Sequence, residues 1–140
     1  METRPVRPRA VTIIVIINSF GAILTAAFWL LIFSRLFAPG HPPAQLDKSA
    51  LAATFGFMLG DLTWALLLLT VSAIGLWRMK FWGWLAGQLV NILWLYSMTV
   101  IWARDLYSGI VSPGAIHFTP FVPLAVWAGY ALWTTRGRFK

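Results

Sequence analysis

Cysteine is absent from all 140 residues, which excludes disulfides, thiolate metal sites and thiol nucleophiles and leaves the redox compartment open. Acid is nearly as scarce, with four Asp and Glu against eleven Lys and Arg. Charged residues make up only 11% of the chain, far below the roughly 25% of soluble domains. There is no glycine-rich phosphate loop, no HExxH pattern, no pair of carboxylates at helical spacing and no nucleophile elbow. The chain is therefore expected to be non-enzymatic.

What is abundant is apolar. Hydrophobic residues reach 59% and include nine Trp and ten Phe, a composition that points to the bilayer. In a soluble protein the net charge of +7 would suggest nucleic acid. Here the Lys and Arg lie almost wholly between or beyond the apolar runs, so their expected partners are anionic lipid headgroups and no nucleic acid.

Four runs are long enough to matter. Ala10 to Ser34 carries no charge and exceeds the about 20 residues that cross a ~30 Å hydrocarbon core. It is also too long for the about 7 to 15 residue core of a signal peptide, so it is expected to be a retained anchor. Pro39-Gly40-His41-Pro42-Pro43 cannot continue a helix. Ser49 to Trp77 contains Asp61 as its single charge, and Phe81 to Ala103 follows directly after the tight basic joint Arg78-Met79-Lys80, which forces an antiparallel hairpin. The fourth run has competing starts at Pro113, Pro120 and Pro123. Thr119 followed by Pro120 would make a favoured cap, and a bent or broken outer end is expected.

The expected fold is an all-α integral membrane protein, a single domain of four transmembrane helices in an antiparallel bundle at about 10–36, 49–77, 81–103 and 114–135. One side collects Arg4, Arg7, Arg9, Arg78, Lys80, Arg136, Arg138 and Lys140, and the other only Arg35, Lys48 and Arg104. The positive-inside rule then puts both termini in the cytoplasm. Trp29, Trp77, Trp82, Trp84, Trp102 and Trp133 fall near span ends, where indoles anchor at the headgroups. Trp64, Trp94 and Trp127 lie deeper and suit packing between helices.

Asp61 stands out as the one charge deep in an apolar run, about 18 Å from Ser49 at 1.5 Å per residue. A central Asp costs about 2.5 to 3.5 kcal/mol on insertion scales, so it must be neutral, paired or in contact with water. Counting depth along the helices puts Asn91 and Gln88 near its level, with Asn18 on the cytoplasmic half of the first helix. One use is a proton or cation site. The plainer use is a carboxyl bonded to Asn91, Gln88 or an indole that locks the bundle or docks a subunit. Gly56 with Gly60 and Gly83 with Gly87 permit close helix approach at opposite depths. Asn18, Gly21, Ala22 and Thr25 form one face of the first helix. His41 and His117, both on the outer side, have imidazoles able to ligate a haem or a chlorophyll-type pigment, although both fall in loop-like contexts and no cofactor is expected.

The segment Arg7-Pro8-Arg9-Ala10-Val11-Thr12-Ile13-Ile14 with Asn18 and Gly21, and the joint Gly75-Leu76-Trp77-Arg78-Met79-Lys80-Phe81-Trp82-Gly83-Trp84, resemble small four-helix bacterial membrane proteins of unassigned function. The resemblance covers about a quarter of the chain and implies a bacterial inner-membrane location without implying an activity. In size and helix count the chain is also similar to small multidrug-resistance transporters, whose essential carboxylate sits in the first helix. Here that helix has no acid. The leading expectation is an accessory or structural subunit of a larger membrane complex, of respiratory or photosynthetic type, in contact with lipid and other membrane subunits. The alternative is a small proton-coupled transporter or channel acting as an oligomer around Asp61. The third is haem or pigment binding.

Overall fold

The computed structural model describes residues 7–36 and 48–140, and no strand occurs among them. The first helix, α1, runs Arg9–Leu36. The second crossing is composite: α2 (Lys48–Gly60), a π-helical turn (Asp61–Ala65) and α3 (Leu66–Trp77). After the joint come α4 (Phe81–Ser108), α5 (Pro113–Phe118) and α6 (Phe121–Thr135), closed by a 3-10 turn at Arg136–Arg138. Three stretches, Arg9–Leu36, Leu51–Trp77 and Phe81–Ser108, are long and apolar enough to cross a membrane. They support a helical membrane protein.

Two boundaries differ from expectation for visible reasons. The third run was expected to stop at Ala103, before the charges of Arg104 and Asp105, yet α4 continues to Ser108. The two charges neutralise each other at 2.8 Å, and the helix ends only where Gly109 supplies a left-handed φ of 67°. In the fourth run the capping chemistry expected of Thr119-Pro120 appears one helix earlier. Ser112 Oγ accepts from the Ala115 amide at 3.3 Å with Pro113 following it. Thr119 and Pro120 instead form the break between α5 and α6, in line with the broken end expected. Pro123 is harmless as the third residue of α6, where backbone N–H groups have no helical partner in any case.

The tight joint sets the register of the hairpin. Met79 takes a left-handed φ of 53°, which costs about 1 to 2 kcal/mol for a residue with a Cβ, and its buried side chain offsets that cost. Gly75 on α3 and Gly83 on α4 then meet backbone to backbone, and a Cβ on either would collide with the other. Further along, a Cβ on Gly87 would lie 2.8 Å from Leu132 and 3.1 Å from the Ser72 hydroxyl. Val11, Ile14, Leu76, Leu132 and Phe139 close this end with almost no exposed surface. The Lys140 amide donates to the Met79 carbonyl at 3.2 Å and the Phe81 amide donates to Lys140 O at 2.9 Å, so residues 139–140 are tied to the joint. Arg7 lies 3.8 Å over the Trp77 ring and donates to its carbonyl, bringing the start of α1 to the same end. This end, rich in Lys and Arg, is called the basic end below.

The opposite, far end is looser. None of the described side chains of α2 is buried, and among the described residues nothing lies within 4 Å of a Cβ built on Gly56 or Gly60. Gly83 and Gly87 thus pack inside the chain, whereas Gly56 and Gly60 pack on none of the described residues.

Candidate functional site

Asp61 opens the π turn. The Leu66 amide donates to the Asp61 carbonyl, skipping one residue beyond the α-helical spacing, a bulge that frequently marks functional positions. The side chain is half-buried, and its Oδ2 accepts from Trp29 Nε1 at 2.8 Å. Trp29 belongs to a stripe on α1 in which Asn18, Gly21, Thr25 and Trp29 recur every three or four residues and are all buried. Trp29 is 6% exposed, so it is not the interface anchor expected from its nearness to the helix end. Its spacing of four from Thr25 is the signal that would have turned it inward.

Asp61, Thr25 and Trp29 line a cavity of about 200 Å³ enclosed by α1, the second crossing, α4 and α5. Its aromatic wall is built by Phe28, Trp94 and Phe118: Phe28 meets Phe118 edge-on at 5.1 Å, and Trp94 lies 5.3 Å from Phe118. Phe121 stacks on the far face of this cluster, 5.6 Å from Trp94. Among the described residues the buried Thr25 hydroxyl has no hydrogen-bond partner, unusual for a helical Thr, which can bond back to its own helix.

The far rim of the cavity includes Arg104 and Ser112. Arg104 Nε and Nη2 both donate to Asp105 Oδ1, at 3.1 and 2.8 Å. Asp105 Oδ2 accepts from the Ser112 amide and hydroxyl at 2.7 and 2.8 Å. One carboxylate therefore satisfies the rim guanidinium and fastens the α4–α5 connection. The ion pair neutralises the rim, and Asp61 is the ionisable side chain that lines the cavity below it.

The grouping of Asp61 with Asn91 and Gln88 requires correction. With Gly75 against Gly83 and Ser72 against Gly87, Asp61 stands across from about Ser97, which lines the same cavity. Asn91 is nearly two turns closer to the joint and lines a separate small cleft with Asn18 and Gly21, its buried amide nitrogen having no partner. Gln88 donates to the Gly129 carbonyl at 3.1 Å, and Asn18 donates to Ser72 Oγ at 2.8 Å. These polar groups stitch helices together at the basic half and do not reach the carboxylate. Length along each helix alone does not set relative depth, because the joint fixes the register of both arms together. Of the partners expected for Asp61, the indole is the one present.

His117 is exposed on α5 with Nδ1 2.7 Å from the Pro113 carbonyl, and His41 lies outside the described residues. Trp94 packs between helices as expected of the deeper indoles, while Trp64 is 64% exposed. Ser97, Ser112 and Arg104 were not singled out as site residues, because only the hairpin register and the broken α5 bring them to one space. No protein-family model, curated protein or solved structure matches the chain.

Proposed function

We propose that the chain is a non-enzymatic, four-crossing protein of the bacterial inner membrane that binds a small solute from the outer side in the Asp61 cavity. α5 and α6 together supply the fourth crossing. Among the described residues, seven Lys and Arg at the basic end against three at the far end support cytoplasmic termini. The cavity then faces the periplasm, and the closed half faces the cytoplasm. The observation that carries the reading is the setting of the carboxylate. Instead of being packed away, Asp61 is half-buried on the wall of an about 200 Å³ cavity, with one neutral N–H as its partner. A carboxylate at this depth is costly unless paired or watered, and a ligand or water supplies what the chain does not.

A screen of small cationic, anionic and neutral solutes for thermal stabilisation of the purified protein tests this, because a ligand bound only by the native fold raises the melting temperature. At least one class is expected to stabilise the native chain and not Asp61→Asn. No stabilisation by any class would end the reading.

A second reading, an accessory subunit of a larger membrane complex, has its own support in α2. Its open Gly56 and Gly60 face suits close approach by a helix of a partner protein. Purification in mild detergent checks it: a stoichiometric partner that Gly60→Leu releases supports it, and a chain that migrates alone refutes it.

A further inference from the structure

We infer that the solute is a compact protonated amine that keeps at least one N–H and carries a single apolar ring. The inference rests on the cavity being a solute site and names the ligand class. Asp61 supplies the sign: a carboxylate only accepts hydrogen bonds when ionised, and no cation among the described residues pairs with it. Arg104 reaches the rim of the cavity, but Asp105 Oδ1 takes both its Nε and Nη2, so the rim does not recruit an anion.

The hydrogen-bond pattern narrows the cation further. Trp29 Nε1 takes one acceptor site of Oδ2, and an ionised carboxylate has about four such sites over its two oxygens. The sites that remain call for N–H donors, and a quaternary ammonium has none to give. Phe28, Trp94 and Phe118 line the cavity with aromatic surface suited to an apolar ring. The volume of about 200 Å³ lies below the roughly 300 to 1,000 Å³ of drug-sized pockets. It suits one ring and a short chain, and excludes a phospholipid or a polycyclic compound.

Calorimetric titration of the detergent-purified full chain with four probes of one shape tests the assignment, with empty micelles subtracted: 2-phenylethylamine, 2-phenylethanol, 3-phenylpropionate and benzyltrimethylammonium. On the native chain the amine is expected to bind at least about tenfold more tightly than each of the others. In Asp61→Asn, whose side-chain oxygen still accepts from Trp29, the amine is expected to lose that advantage over the alcohol. Equal binding of the alcohol or the carboxylate by the native chain overturns the charge assignment, and equal binding of the quaternary ion overturns the N–H contact. Either result leaves the cavity standing as a solute site, which the broader stabilisation screen decides separately. The ratio on the native chain settles the ligand class even if the variant does not fold.

Discussion

The basic and far halves of the bundle solve the same problem in opposite ways. At the basic half, α3 and α4 touch backbone to backbone at Gly75 and Gly83, Leu132 fills the space beside Gly87, and Val11, Ile14, Leu76 and Leu132 form a closed apolar cluster. At the far half the second crossing carries a π turn, α2 buries none of its described side chains, and the Asp61 cavity lies between the helices. In lipid, burial of apolar surface does not by itself hold helices together, and close packing does most of that work. Stability is therefore concentrated at the basic half, which leaves the far half free to keep a hole. Low-stability regions are where binding sites are commonly found.

Substitutions that exchange the properties of the two halves test this division. The largest effect is expected from Gly83→Val, whose side chain has no place beside Gly75. It should exceed about 4 kcal/mol or prevent folding, read as loss of the folded fraction in detergent. Leu132→Ala opens a hole at a fully buried position and is expected to cost about 2 to 5 kcal/mol in a reversible denaturation titration. Asn18→Leu removes the bond to the Ser72 hydroxyl and is expected to cost about 0.6 to 1.7 kcal/mol in the same titration. Gly60→Leu, at the far half with nothing near its Cβ, should stay within about 0.5 kcal/mol of the native value. A Gly60→Leu penalty as large as that of Gly83→Val would erase the contrast.

The fold was readable to the extent that lipid dictates it. Uninterrupted apolar runs gave α1, the second crossing and α4, and the three prolines foretold the broken fourth segment. The π turn was not readable, because nothing in Gly60-Asp61-Leu62-Thr63 distinguishes a helix with one extra residue per turn from an ordinary one. At the site, Asp61 declared itself by its cost in an apolar run. Its surroundings did not, since they depend on relations between helices. Asn91 was assigned to the wrong level because a slip of two turns is invisible until Gly75 and Gly83 fix the register. Trp29 was misjudged because an indole near a helix end suits both headgroups and a buried acid, and only its place in the Asn18–Thr25 stripe decides between them.

The absence of native cysteine makes the most direct measurement clean. Ser97→Cys puts a lone thiol on the cavity wall, and Ser72→Cys puts one in the closed half, where Ser72 is fully buried. A water-soluble thiol reagent added to the detergent-purified protein is expected to modify Ser97→Cys readily and Ser72→Cys only after denaturation. Two thiols that react alike, or a Ser97→Cys thiol that stays inert until the protein is unfolded, would contradict a bundle divided into a sealed half and an open solute site.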